Sequence, residues 1–430
     1  MNRAFLDWHS RYRIRHILRT SFCLVPVSAI VAAIAAAPLI RYIDEHNRWR
    51  FIEISQDAAR AVVGTLPSAL LTLIVFSMSI LLLAVQLVSS QFSPRVIARF
   101  FEDRTVKWIL GIFVFSHTYS LFALGRIEER VPVLPLMLVL ALNLISLAVF
   151  LYMIQVVGRS FRAIKILTAI AADTKQVILK MFPYPYSPEG EEGKAQRSNM
   201  GNPDRIIRYQ NKAGVFVAFD QAGLVELAAR HGCVVELAVA VGEFVSEEQA
   251  LFRIYGAGGS KIDKKVLLRC VALDLERTLE QDPDFGLRMV VDIASKALSP
   301  AINDPTTGTL AIDQLQHLLA LLGQRQLDTG IVKDAGGVVR LIFPFCDWED
   351  FVLLAATEIR TYGGPNPQVT RRLQAMYEYL LAVLPESRKI AIRREVDLLR
   401  QTIEQCYSGA QDRDIAATAD MQGFGAHRRQ

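Results

Sequence analysis

The densest group of ionisable and amide side chains lies in residues 277–315, RTLEQDPDFGLRMVVDIASKALSPAINDPTTGTLAIDQL. Charges of both signs at this density can form a ligand site or a buried network of ion pairs. The candidates are Arg277, Asp282, Asp292, Lys296, Ser299, Asn303 and Asp304. Asp304 before Pro305 also fits a helix N-cap followed by proline at the first helical position. We favour the structural network and keep a ligand site as the alternative.

A second group of polar side chains lies inside a long uncharged run, residues 61–88. Its candidate pore-lining members are Thr65, Ser68, Thr72, Ser79 and Gln86. The first four step by three, four and seven residues, which puts them on one face of a helix. Such a face can line a pore or cavity, because lipid disfavours unsatisfied polar groups. It can also pack against another helix, with each hydroxyl bonded to its own backbone, and we favour this packing explanation.

Two more polar side chains, His117 and Asn143, lie inside further apolar runs. A buried imidazole can titrate near neutral pH, so His117 could relay protons or bind an anion. We favour an interhelical hydrogen bond instead. No carboxylate or lysine lies in the middle of a run, which disfavours a carboxylate-coupled pump.

Membrane-spanning helices are the elements that must position these groups. The 430-residue chain is 52% hydrophobic and only 21% charged, whereas a typical soluble domain is about 25% charged. Crossing a bilayer core as a helix takes about 17–25 apolar residues. The predicted spans are residues 21–40, 61–88, 108–124 and 131–157, within a transmembrane domain of residues 21–158. The third is the shortest and contains His117.

The distribution of Lys and Arg predicts the orientation, because cytoplasmic loops are the richer in these residues. One side carries twice as many as the other. The richer side has Arg3, Arg11, Arg13, Arg15, Arg19, Arg95, Arg99, Arg104, Lys107, Arg159, Arg162 and Lys165; the poorer side has Arg41, Arg48, Arg50, Arg60, Arg126 and Arg130. We therefore expect the basic arm of residues 1–20, both termini and everything after residue 158 to be cytoplasmic.

The rest of the chain predicts an α+β domain in two parts. An amphipathic stalk helix is expected at 159–182 and a Pro-rich, polar linker at 183–203. A β-rich part follows at 204–260, then a mainly helical part at 261–407 with a hairpin at 331–345, and a disordered tail at 408–430. The expected helices of the second part are about 262–273, 285–298, 305–323, 348–362, 367–384 and 386–406.

The sequence lacks the common catalytic and cofactor-binding motifs. The sequence has no phosphate-binding glycine loop, dinucleotide fingerprint, zinc-protease motif, nucleophile elbow or calcium loop. Its five cysteines are scattered, which predicts reduced thiols rather than disulfides or zinc ligands, and its seven histidines are dispersed. A net charge of +5 does not point to nucleic acid. We expect no enzymatic activity, cofactor or metal.

The QLVSSQFSPR and RTLEQDPDFG…IASKALSPAINDPTTG segments resemble those of a bacterial family of predicted membrane proteins, domain-of-unknown-function family 2254. The order of four membrane helices and then a soluble domain is also similar, over roughly residues 19–404. The resemblance implies a fold and a topology, in a bacterial inner membrane, but no activity.

The stretch Val241-Gly242-Glu243-Phe244-Val245-Ser246-Glu247-Glu248 resembles the G-x-F-V-x-x-G turn of barrel-sandwich hybrid domains. Biotinyl and lipoyl carriers of that class present a lysine on a hairpin. No matching lysine occurs here, so covalent cofactor carriage is not expected.

Together these features predict a homo-oligomeric, channel- or transporter-like protein of the inner membrane, regulated by its cytoplasmic domain. Its partners would be the lipid bilayer and further copies of the chain. The alternative is a membrane-anchored sensor or scaffold that binds a small ligand or a protein through the segment 277–315. The pore hypothesis needs the polar face of 61–88 to converge on a symmetry axis. The sensor hypothesis needs a concave pocket around Asp292, Lys296 and Asn303.

The orientation can be tested with reporters that are active only in the periplasm. A reporter fused near Asn47 should be active, because the bias in Lys and Arg puts that loop outside. The same reporter fused after Pro185 should stay silent, and activity at that position would contradict the topology.

Overall fold

The computed structural model describes residues 8, 10, 12, 21–47, 55–91, 104–124, 133–160, 162–188, 201–327 and 330–423. These residues belong to two compact units. The membrane unit lies within residues 14–162. The soluble unit lies within residues 163–430 and also includes the described residues of the N-terminal arm, which are Trp8, Ser10 and Tyr12.

The membrane unit consists of four helices that are long and apolar enough to cross a membrane. They are α1 (Leu24–Asn47), α2 (Gln56–Gln91), α3 (Arg104–Leu124) and α4 (Val133–Ser160). Helices α2 and α3 contain the predicted spans 61–88 and 108–124, and α1 and α4 overlap the spans 21–40 and 131–157 but begin three and two residues later. With 36 residues, α2 is about 54 Å long and exceeds the hydrocarbon core of about 30 Å, so it must tilt or extend beyond it.

Helix α3 is the most enclosed helix of the membrane unit. Half of its apolar window is buried by protein, against 11% for α1 and 22% for α2 and α4. It packs against all three, most closely at Gly111, where a Cβ would lie 2.8 Å from Val25 Cγ1 of α1. Because its neighbours shield it from lipid, α3 can carry more polar residues than they do.

Contacts between the helix ends show that the four helices alternate in direction. Near the end of α1, Asp44 Oδ1 accepts a hydrogen bond of 2.9 Å from the Leu134 backbone N–H at the start of α4. This carboxylate also satisfies one of the N–H groups that the first turn of a helix leaves unpaired. The start of α1 lies beside the first half of α3, and the second half of α3 contacts the first half of α2 at Pro67.

The soluble unit is a mixed α and β structure. Its helices are α5 (Ala163–Met181), α6 (Gln221–His231), a 3-10 turn (Ala257–Lys261), α7 (Lys264–Leu268), α8 (Pro283–Ala297), α9 (Pro305–Gly323), α10 (Trp348–Gly363), α11 (Pro367–Val383), α12 (Glu386–Cys406) and α13 (Ala410–Ala417). Its strands are β1 (Arg205–Arg208), β2 (Gly214–Phe219), β3 (Val234–Leu237), β4 (Phe244–Val245), β5 (Ala250–Tyr255), β6 (Val271–Asp274), β7 (Ile331–Lys333) and β8 (Val339–Ile342).

Three of these helices begin with the same local signal, Asp or Asn followed by Pro. The side chains of Asp282, Asp304 and Asn366 each accept a hydrogen bond from a backbone N–H in the first turn of α8, α9 and α11. Proline then occupies a position whose N–H would be unpaired in any case. The N-cap predicted at Asp304 is confirmed.

The strands form two sheets around a shared core. The larger sheet has the order β1-β5-β3-β8-β7, in which β3 and β8 are parallel, and the smaller has the antiparallel order β4-β2-β6. Phe216 of β2, Phe252 of β5 and Leu341 of β8 are buried in one cluster. The hairpin expected at 331–345 is confirmed as β7 and β8, which pair antiparallel. Because this hairpin joins the larger sheet and β6 joins the smaller one, the β-rich part extends beyond the predicted boundary at residue 260.

Three segments differ from their sequence predictions. Helix α5 is amphipathic as expected, but it does not stand free as a stalk, because Leu167, Ile170 and Ile178 are buried and the helix packs on α8 and α9. The expected linker begins with a bound segment, in which the Tyr186 backbone N–H donates to the Gln324 carbonyl at 2.9 Å. A single helix at 262–273 is wrong, since α7 ends at Leu268 and β6 follows.

The predicted disorder of the tail is also wrong as far as residue 423. Helix α13 occupies Ala410–Ala417, and the chain after it is bonded to α11. Asp420 donates its backbone N–H to the Arg371 carbonyl at 3.1 Å, and Gln368 Nε2 donates to the Gly423 carbonyl at 2.6 Å. Residues 424–430 lie outside the described part of the chain.

The turn between β3 and β5 contains two residues with left-handed backbones. Gly242 has φ = 91° and Glu248 has φ = 61°. A non-glycine residue in this region costs about 1–2 kcal/mol, because its Cβ crowds the following carbonyl oxygen. The turn that this stretch resembles has glycine at the position of Glu248.

Replacing Glu248 with glycine is therefore expected to stabilise the soluble unit by about 0.5–1 kcal/mol. This value is the backbone strain that is relieved, minus the larger conformational entropy that glycine loses on folding. The surface hydrogen bond from Gln210 to the Glu248 carboxylate would be lost at little cost. Gly242→Ala is the matched opposite, since φ is positive and the new Cβ would collide with the Arg277 guanidinium. Thermal unfolding of both variants in detergent checks this. A Glu248→Gly variant less stable than the wild type would contradict it.

Candidate functional site

The charged segment 277–315 does not gather into one site. Arg277 and Asp282 lie before α8, whereas Ser299, Asn303 and Asp304 lie in the turn after it. Since α8 has 15 residues, about 22 Å of helix separates the two groups. The structure therefore divides the predicted cluster into three parts. The first is the set of contacts made by residues 277–285 at the start of α8, which we call the N-terminal interlock. The second is an ion network in the middle of α8, and the third is the turn between α8 and α9.

The N-terminal interlock is built on a buried ion pair. Arg277 Nε and Nη2 donate to the two carboxylate oxygens of Asp282 at 2.9 and 3.0 Å. The same carboxylate caps α8 by accepting from the Phe285 backbone N–H at 2.9 Å, and it is only 2% exposed. Burial raises the pKa of Asp282, and the Arg277 charge and these hydrogen bonds oppose that rise. Removing Arg277 would leave a buried carboxylate without its counter-ion, an expensive state.

The guanidinium of Arg277 also joins α8 to the β part. It lies over the Phe285 ring, 5.5 Å from the centroid, and against the backbone of Gly242. Gln281, which sequence reasoning missed, pairs with the backbone of Phe219 in β2 through two hydrogen bonds. Its Oε1 accepts from the Phe219 N–H at 3.0 Å, and its Nε2 donates to the Phe219 carbonyl at 3.1 Å. The segment EQDPDFG thus fastens strand β2 to the start of α8.

The mid-helix network depends on Arg288, a residue outside the predicted set. Arg288 Nε donates to Asp292 Oδ1 at 2.6 Å, and its other two nitrogens bond the Glu358 carboxylate of α10. These hydrogen bonds raise the pKa of Arg288 and lower that of Glu358. Asp292 therefore helps to hold the Arg288 side chain that links α8 to α10. Lys296 lies in the last turn of α8 and also has an interaction partner.

The turn between α8 and α9 is held by local hydrogen bonds. Ser299 Oγ donates to the Lys296 carbonyl at 2.7 Å, and the Asp304 backbone N–H donates to the Ala297 carbonyl at 2.7 Å. Asp304 accepts from both the backbone and the hydroxyl of Thr307. Asn303 adopts φ = 49°, which asparagine tolerates better than most residues. Within the described residues, the structural explanation of this segment is the one that its contacts support.

The carboxyl group of Asp284, beside the interlock, lies in an environment that disfavours its charged form. Asp284 is largely buried in the first turn of α8, and its Oδ1 has no hydrogen-bond partner among the described residues. Burial raises its pKa to about 6, a hydrogen bond with the Cys346 thiol opposes this, and the charge of Asp282 adds to it. The pKa of Cys346 is raised by the same burial, so its thiol stays protonated and unreactive.

The polar face of α2 points away from the other helices of its own chain. Thr65, Ser68, Thr72, Ser79 and Gln86 are all exposed on the surface of the membrane unit. Three of the hydroxyls donate to their own helix, Thr65 to the Val62 carbonyl, Thr72 to that of Ser68 and Ser79 to that of Val75, each at 3.0 Å. This is the back-bonding that the packing explanation predicted. The face does not pack against α1, α3 or α4.

Polar groups that the four helices enclose lie on α2, α3 and α4, and the fully buried Ser77 of α2 donates to the Leu73 carbonyl of its own helix at 2.7 Å. His117 Nδ1 is 3.1 Å from the Pro67 carbonyl of α2, the interhelical hydrogen bond expected for it. Ser146 of α4 donates to Ser116 of α3 at 3.1 Å, and both are fully buried. Asn143 instead donates to the Val139 carbonyl of its own helix at 2.9 Å. The interior polar contacts described by the structure are thus paired hydrogen bonds between and within helices.

These features define a class, multi-helix membrane proteins with a folded α+β domain after the last membrane helix. The chain belongs to the family described as predicted membrane protein, DUF2254, whose model matches residues 19–379. The resemblance inferred from its motifs is therefore confirmed.

Similar proteins occur in mycobacteria. The chain is 28% identical over 379 residues to uncharacterized proteins of Mycobacterium tuberculosis and Mycobacterium bovis, covering 84% of this chain and 71% of each relative. A protein of a further Mycobacterium tuberculosis strain is 27% identical over the same length. No solved structure matches the chain.

The raised pKa of Asp284 predicts a pH-dependent stability. In the unfolded chain this carboxyl titrates near 3.8, and in the folded protein near 6. The stabilisation from its protonated form is complete below pH 3.8 and is lost as the pH rises through 6. Asp284→Asn should therefore raise the free energy of unfolding at pH 7 by about 1–3 kcal/mol, and by less at pH 5.

Denaturation of the full-length protein in detergent at the two pH values measures this difference. Asp397→Asn is the control, because that carboxylate is exposed in a surface ion pair and should contribute within about 0.5 kcal/mol at either pH. An Asp284→Asn variant with the same advantage at pH 5 and pH 7 would contradict the assignment.

Proposed function

We propose that the protein is a non-enzymatic homo-oligomer of the bacterial inner membrane, in which α2 from each copy lines a polar path that the cytoplasmic domain regulates. The observation that carries this proposal is the outward-facing polar side of α2. Three of its hydroxyls are bonded to their own helix, but lipid offers their oxygen atoms no donor, so the position of this side on the surface of one chain favours a contact outside that chain.

The spacing of exposed residues on α2 favours a second copy as that contact. One exposed stripe, with alternating steps of four and three residues, contains Ala61, Thr65, Ser68, Thr72, Val75, Ser79, Leu82 and Gln86. A 3.5-residue repeat is the period of left-handed packing between helices. Most members are small, which lets helix backbones approach closely in a membrane. The exposed side chains of α1 and α4 include Val31, Leu144 and Leu151, which suit lipid.

The chemistry of the stripe suits a hydrated path. Each back-bonded hydroxyl donates its proton to a carbonyl and still presents an oxygen acceptor. No charged side chain occurs between residues 61 and 88, so the lining would be neutral and would hold a permeant species weakly, as conduction requires. The basic residues expected at its cytoplasmic end, Arg95 and Arg99, lie outside the described residues.

We infer a cytoplasmic location for the soluble unit from the Lys and Arg bias, and a barrel-sandwich-like turn from residues 241–248. The left-handed backbone of Glu248, where the turn it resembles has glycine, supports the second inference. The sensor alternative expected a pocket around Asp292, Lys296 and Asn303. Among the described residues, a cavity of about 480 Å³ is lined by residues of α6 and of the β7–β8 hairpin, and those three residues are not part of its lining.

Cysteine substitution tests whether the stripe is wet. Cys23 and Cys406 are exposed, so both are first replaced by alanine. Single cysteines at Ser68, Thr72 and Ser79 should then react with a membrane-impermeant thiol reagent in native membranes. Leu144→Cys is the matched control, since that side chain is 70% exposed on α4 and should stay unlabelled in lipid.

A large apolar residue provides the second arm of the test. Thr72→Phe should abolish labelling at position 79 or 68 by blocking the path, with the protein still folded and assembled. Protection of all three cysteines equal to that of Leu144→Cys would contradict the proposal. Loss of assembly with a destabilisation of about 1–3 kcal/mol would indicate that the stripe only packs helices.

A further inference from the structure

Strand β2 is apolar on both of its faces. Its sequence, GVFVAF, has no polar residue, whereas a strand with one wet face usually alternates. Phe216 and Phe219 point into the core that the two sheets share. Val217 and Ala218, together with Ala272 of β6, form a separate buried cluster. The sheet β4-β2-β6 thus has an outer apolar face that must be covered by something else.

Two described residues of the N-terminal arm, Trp8 and Tyr12, cover this face. Trp8 and Tyr12 are stacked, with ring centroids 5.5 Å apart and planes at 22°, and both pack against Val217, Ala218 and Ala272. Tyr12 Oη lies 3.5 Å from Thr278 Oγ1, next to the interlock residue Arg277. The three sheet residues are at most 2% exposed, and burial raises the pKa of Tyr12 to about 12.

We propose that the outer face of the sheet β4-β2-β6 is a docking surface for the arm of the same chain, and that Trp8 and Tyr12 are its anchors. Burial of two large aromatic side chains is the main source of such binding. The arm leads into α1, and α5 follows α4, so the soluble unit is joined to the membrane unit at two points of the chain. The arm can dock only if it lies on the same side of the bilayer as the chain after α4. Four membrane crossings, an even number, meet this requirement.

Photo-crosslinking in native membranes tests this proposal with the full-length chain. A p-benzoylphenylalanine in place of Tyr12 should crosslink, within a single chain, to peptides that contain residues 215–218 or 272–278. The same probe in place of Ser10 is the matched control, because Ser10 is exposed on the same segment and should crosslink poorly.

Trp8→Ala in the chain with the probe at position 12 should weaken docking about tenfold or more and lower the crosslink yield accordingly, whereas Trp8→Phe should retain most of it. Equal yields from positions 10 and 12, an unchanged yield in Trp8→Ala, or crosslinks between two copies would overturn the proposal. The test needs no conduction, so its outcome is independent of the function proposed above.

Discussion

Hydrocarbon offers no hydrogen-bond partners, and this constraint accounts for where the polar groups of the membrane unit lie. Helix α3 carries buried serines and His117, and the other three helices enclose it. The Ser116–Ser146 contact and the His117–Pro67 contact satisfy these groups inside the unit. On α2 the constraint is met differently, because Thr65, Thr72 and Ser79 donate to their own helix while facing outward. These bonds make the outward face tolerable in a single chain, and in the assembly that we propose the same face would line the path.

In the soluble unit, strand β2 is held from two directions. Gln281 bonds its last residue, Phe219, and the Arg277–Asp282 pair fixes Gln281 near the start of α8. On the outer side, the arm covers Val217 and Ala218. The arm, strand β2 and α8 are therefore connected by direct contacts. Arg288 and Glu358 extend this connection from α8 to α10.

Much of the fold could be predicted from local sequence signals. The apolar runs identify the four membrane helices, and Asp304-Pro305 fixes the start of α9. The predicted helix 386–406 agrees with α12. Residues 262–273 were assigned wrongly because helix-forming residues there pair with β2, a tertiary contact that overrides propensity. The tail was assigned wrongly because its polar composition hid its hydrogen bonds to α11.

The candidate site was less predictable, because its meaning depends on partners distant in sequence. Arg288 meets Glu358 across 70 residues, and Gln281 meets Phe219 across 62. No spacing rule within 277–315 reveals these pairs, so the sequence favoured a structural network there but could not show that the network is divided into separate links. The stripe on α2 was easier to predict, because a 3.5-residue period is a local property that is visible in the sequence itself. The sequence could not show that this stripe faces outward, because its direction depends on which face of α2 packs against α3.

A structure of the assembled protein in a lipid bilayer tests the central claim most directly, by showing what the outward face of α2 contacts. Our account predicts that α2 from each copy surrounds the symmetry axis, with Thr65, Thr72 and Ser79 facing a hydrated space and Leu144 of α4 facing lipid. An assembly with α1 or α4 at the axis and the α2 hydroxyls in lipid would contradict it.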